Sequence, residues 1–265
     1  MKVLYAAAEI SPFAKMTSTA DMLRFLPASL QDKGYEIRIL LPKYGSISDR
    51  RNRLHEVIRL AGIEVEVGDK IETMRIKVAS IPNAKLQVYF LDNDTYFKRK
   101  HMFLDDKNQF ITDNDQRLTM YNKGVLETLI RLNWKADIVH CHDWVSGILP
   151  LLIKTKYADN PLFQNLKIIY NLHTPEHWGY LNPEIMNLLG ISDIDTSDIT
   201  TDGKIDFVKA GIKYADFVVT GNYVNKEFEP LFEQFAIKPV VIQGAPADVS
   251  QKFSDFYKEI TSDLV

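Results

Sequence analysis

Two periods of apolar and polar positions run along the chain, and their order outlines a fold. The stretch Val3-Leu4-Tyr5-Ala6-Ala7-Ala8 is continuously apolar and stops at Glu9, which predicts a strand covered on both faces, as in a parallel sheet. Pro12 closes it. From Ala20 the spacing becomes helical through Met22, Leu23, Leu26 and Leu30, with an interruption expected at Pro27 and a stop at Lys33-Gly34. Residues 35–42 read as a second strand, giving a right-handed β-α-β opening. Clean alternation over 63–67 and 72–78 about Gly68-Asp69-Lys70 predicts a hairpin with one wet face. A strand over 86–91 follows.

Residues 92–116 and 180–203 show no period and are expected to be irregular. Between and after them the pattern predicts helices over 116–132, 146–157, 207–214, 222–235 and 249–264. It places strands over 137–141, 166–172, 217–220 and 240–242. Strands alternating with helices make an α/β chain, so the expected fold is a single Rossmann-like, doubly wound, mostly parallel sheet over 1–265.

Composition narrows the function classes. The 265 residues are 46% hydrophobic and 25% charged with a net charge of −3, which gives no electrostatic footprint for nucleic acid. Cys141 is the single cysteine, so no internal disulfide can form, in keeping with a reducing compartment. No apolar run approaches the roughly 18 residues of a membrane span, and the first residues lack a secretory layout. A cytoplasmic protein without a membrane partner is expected.

Candidate chemistry follows from topology. Lys15, Asp143 and His173 each fall just after a predicted buried strand, so in a parallel sheet all three reach the same edge and face one crevice. For Lys15 the competing reading is a solvated loop lysine. His140, His142 and Asp143 have the residue types of a zinc site, but Cys141 points the other way and no third ligand cluster is evident. Packing and hydrogen bonding are the expected roles there, with Asp143 capping the next helix or orienting His142. Neither a G-x-S-x-G elbow, a G-x-G-x-x-G loop nor a Walker loop is present. No metal and no cofactor are expected.

Taken together, the stretches Ser11-Pro12-Phe13-Ala14-Lys15, Ala20-Asp21, Leu26-Pro27, Pro42-Lys43-Tyr44-Gly45, His142-Asp143-Trp144, His173 with Gly179, Leu188-Leu189-Gly190 and Phe207-Val208-Lys209-Ala210-Gly211-Ile212 resemble the N-terminal domain of the bacterial glycogen synthase and plant starch synthase family. The resemblance implies the N-terminal half of a two-domain GT-B glycosyltransferase that extends α-1,4-glucans from ADP-glucose or UDP-glucose. It implies that Asp143 and His173 are catalytic, with Asp143 beside donor and acceptor and His173 bonded to the transferred glucose. Lys15 would contact the nucleotide-sugar phosphates, and Thr17, Ser18, His142, Trp144, Thr174 and Gly179 would complete the substrate contacts.

Three departures bear on activity. Thr17 and Ser18 stand where the family has two glycines, adding side chains where a pyrophosphate would lie. Thr174 replaces an asparagine and Val145 a histidine. The family's second domain, which supplies the cations for the leaving diphosphate, is expected to be absent here, predicting weak or no transfer by the isolated half. Helix 249–264 is expected to dock on the domain as the family's C-terminal helix does. The implied partners are an α-glucan or maltooligosaccharide, a nucleotide sugar, and a complementary glycosyltransferase domain or a second copy. The alternative is a non-catalytic α-glucan-binding or interaction protein.

Overall fold

The structure is a computed structural model that describes residues 1–173, 179–221 and 228–264. Its strands are β1 (Lys2–Ala6), β2 (Glu36–Pro42), β3 (His55–Glu56), β4 (Ile63–Val67), β5 (Lys70–Ser80), β6 (Gln87–Asp92), β7 (Ile138–His142), β8 (Lys167–Leu172), β9 (Tyr180–Leu181), β10 (Thr200–Thr201), β11 (Lys204–Asp206), β12 (Phe217–Thr220) and β13 (Val240–Val241). The helices are α1 (Thr19–Asp32), α2 (Asp49–Asn52), α3 (Asn114–Leu132), α4 (Leu149–Lys154), α5 (Ile185–Leu189), α6 (Phe207–Tyr214), α7 (Glu229–Gln234) and α8 (Pro246–Ile260).

One sheet runs in the order β13-β12-β8-β7-β1-β2-β6-β5-β3, with β4 also paired to β5. From β13 to β6 every neighbour is parallel, whereas β5 pairs antiparallel with β6, β3 and β4. The alternation read at 63–67 is the wet-faced strand it predicts: Ile63, Val65 and Val67 are buried while Glu64 and Glu66 are exposed. Chain order turns back between β1 and β7, so the crevice beyond their carboxyl ends is the switch point where α/β sheets bind ligands.

Register across the sheet places Tyr5, His140, Ile169 and Phe217 side by side. Helices α1 and α8 cover that face; Tyr257 meets Tyr5 and His140, and the Phe256 ring stands edge-on to Phe217. On the other face Tyr121 of α3 donates to the carbonyls of Ala7 and Leu40, and Gly211 of α6 presses on the Tyr170 ring. Helix α8 docks as expected, and it begins three residues before the expected start.

Three local readings change. Helix α1 runs through Pro27 without stopping; the proline lacks an N–H, but the buried stripe of Leu23, Leu26, Pro27 and Leu30 holds the turn in place. The helix expected over 146–157 divides into a tight turn at Trp144–Ser146 and α4. Gly147 lies between them against α6, where a Cβ would stand 2.1 Å from the Phe207 carbonyl oxygen, and Pro150 restarts the helix in its first turn. The segment expected to be irregular over 180–203 carries α5, β9 and β10, and β9 and β10 both pair with β11. Of the helix expected over 222–235, residues 222–227 lie outside the described residues and 229–234 form α7.

The 92–113 connection is ordered by one cation. Arg117 of α3 is 1% exposed. Its Nε donates to the Tyr96 carbonyl at 2.7 Å, its Nη1 to Asn114 Oδ1 at 2.7 Å and to the Met102 carbonyl, and its Nη2 to the His101 carbonyl at 3.2 Å. Among the described residues no helix is long and apolar enough to cross a membrane.

Candidate active site

Loops at the carboxyl ends of β1, β7 and β8 build the site. After β1 the chain turns into α1, and the buried Glu9 carboxylate folds back onto that turn. It accepts from the backbone N–H groups of Met16 and Thr17, the latter at 2.9 Å, and from the Thr17 hydroxyl. Thr17 Oγ1 in turn accepts from Thr19 N–H at 3.1 Å. Neither Thr17 nor Ser18 needs positive φ; Ser18 sits in right-handed helical geometry at the start of α1. The loop therefore tolerates side chains where glycines were anticipated. Lys15 is exposed, and its Nζ pairs with Asp21 Oδ2 at 2.6 Å, which with Ser11 holds the Asp21 carboxyl below the usual range.

After β7, Asp143 adopts φ 62° and ψ 177°, a region that glycine occupies almost alone. Its Oδ1 accepts from Trp144 N–H at 2.9 Å, its N–H donates to the Asn171 carbonyl at 3.1 Å, and Ser146 N–H donates to its carbonyl at 3.2 Å. Strand β8 and the turn thus hold the strained residue in place. Burial pushes its carboxyl up to about 7, so it exchanges a proton near neutrality.

His142 Nδ1 and His173 Nε2 are 2.9 Å apart with rings nearly parallel at 12°. Burial drives both rings toward the neutral form, His173 to about 4, and His140 below them to about 3. His173 also lines a cavity of about 600 Å³ walled by Met22, Phe25, Val249 and Phe253 and edged by Ser18, Asp21, Asn171 and Thr220. Asp143 and His142 border a narrow notch beside it with Glu9, Met16 and Thr19, and Thr19 is common to both.

The structure thus brings His173, Asp143, His142, Thr17 and Ser18 to one edge, with Lys15 at the rim bonded to a cavity residue. Trp144 is 5% exposed, and its ring packs edge-on against Phe103 at 4.8 Å. Gly179 accepts from Phe207 N–H at 2.9 Å and does not line the cavity. Thr174 lies outside the described residues. Residues not anticipated from sequence are Glu9, Asn171, Thr220 and Phe253. Of these only Asn171 carries a signal, a polar residue inside an otherwise apolar strand.

The acid behaviour of this cluster is a prediction. Each histidine takes its proton near pH 6.5 when unfolded and far lower when folded, so the stability it contributes is full above pH 6.5 and drains as pH falls. Asp143 runs the other way: its folded value is raised, so its contribution is full below about pH 4 and is lost as pH rises through 7. Near pH 5 the unfolded chain holds about two more protons than the folded one, a slope of about 2.7 kcal/mol per pH unit. Urea unfolding between pH 6.5 and 4.5 is expected to show that fall, and a flat profile would contradict the burial of the rings.

The sequence matches the starch synthase catalytic domain over residues 2–226. The chain belongs to that family. It is 41% identical over 220 residues to a glycogen synthase of Chlorobium limicola, covering 83% of this chain and 45% of that protein. A glycogen synthase of Chlorobium chlorochromatii is 45% identical over 183 residues, or 67% of this chain and 37% of that one. The catalytic domain of starch synthase IV from Arabidopsis thaliana, solved with ADP and acarbose bound, superposes with a TM-score of 0.77 at 23% identity, covering 91% of this chain and 51% of that one. The starch synthase domain thus has the fold of the N-terminal half of a GT-B glycosyltransferase, and it spans about half the length of the curated relatives it matches.

Proposed function

We propose that residues 1–265 form a single domain that supplies the acceptor side of glycogen or starch synthase-type transfer, from ADP-glucose or UDP-glucose to an α-1,4-glucan. The observation that carries this is the gathering of His142, His173 and Asp143 at the switch-point edge beside a cavity of about 600 Å³. A sugar ring has an apolar face and a polar rim. The cavity offers Met22, Phe25 and Phe253 to the first and His173, Asn171 and Asp21 to the second. In the transfer the bond from the anomeric carbon to the diphosphate breaks, and the acceptor hydroxyl oxygen takes its place. The hydroxyl proton departs with the diphosphate. In this reading neutral His173 hydrogen-bonds the glucose without adding charge, and Asp143, from the adjoining notch, supplies the carboxylate that stabilises the developing positive carbon.

A complementary nucleotide-binding half completes the cleft in this reading. Exposed Met16 and Phe25 at the rim are available to it. One observation favours the second reading, glucan binding without transfer: the Met16 and Thr17 amides and the Lys15 ammonium are already bonded to Glu9 and Asp21. A diphosphate arriving here meets two carboxylates instead of free donors.

Calorimetry with maltohexaose and with ADP-glucose tests both. Maltohexaose is expected to bind and ADP-glucose to bind at least ten-fold more weakly. Absence of maltohexaose binding removes the acceptor-side assignment. Incorporation of labelled glucose into glucan decides for transfer over binding alone.

A further inference from the structure

Helix α8 lies beyond the span matched by the family, yet one of its side chains enters the layer beneath the site. Tyr257, fully buried, places its hydroxyl 2.9 Å from the Tyr5 hydroxyl and 2.6 Å from His140 Nδ1. The His140 ring lies 4.0 Å, centroid to centroid, from His142, which is bonded to His173. On its other side His140 Nε2 has no partner at hydrogen-bonding geometry, and neither does the buried Oδ1 of Asn171. Asn171 nonetheless lies near enough to favour a proton on His140, and it edges the cavity.

A neutral imidazole carries one proton, and the partner of each nitrogen decides where it sits. With Tyr5 donating to Tyr257 and Tyr257 donating to Nδ1, the proton is on Nε2, where the nearby Asn171 side chain favours it. The opposite arrangement leaves His140 Nε2 and Asn171 Oδ1 both as buried acceptors without a hydrogen, which is the costlier state.

We propose that Tyr257 is a positioning residue for the cavity: its hydroxyl holds the His140 ring in one orientation with its proton on Nε2, and that ring supports the stacked His142–His173 pair against which a sugar binds. The inference rests on the acceptor-side reading only for its effect on ligand. The proton arrangement stands independently of it.

The test has a spectroscopic arm and a binding arm. Ring nitrogen-15 shifts of the unmutated protein are expected to show His140 as the Nε2–H tautomer; an Nδ1–H tautomer overturns the proposal. In Tyr257→Phe the His142 and His173 ring resonances are expected to shift, and maltohexaose affinity to fall about three- to ten-fold. Ser254→Ala serves as the control, because it removes the side-chain bond between Tyr35 and α8 without touching His140. If it shifts the rings and weakens binding as much as Tyr257→Phe does, Tyr257 merely anchors the helix and the positioning role is wrong. If the unmutated protein shows the Nε2–H tautomer but no maltohexaose binding, the acceptor-side reading fails and the hydrogen-bond assignment remains.

Discussion

Replacing Asp143 by glycine is expected to raise the stability of the domain while weakening its hold on maltohexaose. The φ of 62° and ψ of 177° cost a residue with a Cβ about 1–3 kcal/mol. Glycine pays nothing for that conformation beyond about 1 kcal/mol of extra chain entropy. A carboxyl raised to about 7 by burial is a further burden above neutral pH, one that its partial exposure reduces. Against these gains stands the lost acceptor for Trp144 N–H, worth about 1 kcal/mol. The balance at pH 8 is a gain of roughly 2 kcal/mol for Asp143→Gly. Asp143→Ala keeps the backbone strain and is expected to be less stable than the glycine variant. Urea unfolding of the two variants side by side measures the strain less the entropy cost of glycine, and a glycine variant about 1 kcal/mol less stable than the alanine variant would show that there is no strain. Maltohexaose affinity is expected to fall about 10- to 100-fold in both, the worth of a charged hydrogen bond.

The second large effect is structural. Arg117→Ala is expected to destabilise the domain by about 3–5 kcal/mol, because several buried neutral acceptors each lose a charged donor worth about 1–3 kcal/mol. The Tyr96, His101 and Met102 carbonyls and Asn114 Oδ1 all lose a donor at once. Arg117→Lys is expected to recover less than half of the loss, because one ammonium cannot reproduce the planar fork of the guanidinium. Limited proteolysis reads the local consequence: cleavage within 97–106 is expected to appear before the rest of the chain opens. Cleavage starting elsewhere would mean that Arg117 does not organise this connection.

How much of this was legible in the sequence depends on how far apart the interacting residues lie. The strands at 2–6, 36–42, 138–142 and 167–172 announce themselves because each holds consecutive aliphatic residues, and the hairpin at 63–78 because its apolar positions alternate. The convergence of Lys15, Asp143 and His173 on one sheet edge follows from that topology alone. Elements of two or three residues, such as β9 and β10, carry no period, so the order in 180–203 could not be read. Pro27 is a helix breaker by propensity, and the apolar stripe around it overrides that preference. The Glu9 contact depends on how a loop seven residues later folds back. Tyr257 meets His140 from 117 positions away, and nothing in either local sequence announces the meeting.

The two strands that end the main path, β13 and β3, are two residues each, and both residues of β3 are exposed and polar. A long, flat, apolar border would offer a row of free amides and carbonyls on which another chain could build, the first step toward fibrils. With stubs at the ends of that path the large sheet gives a stray strand only a two-residue foothold on β13 or β3, and its longer border, β4, carries the exposed charges Glu64 and Glu66.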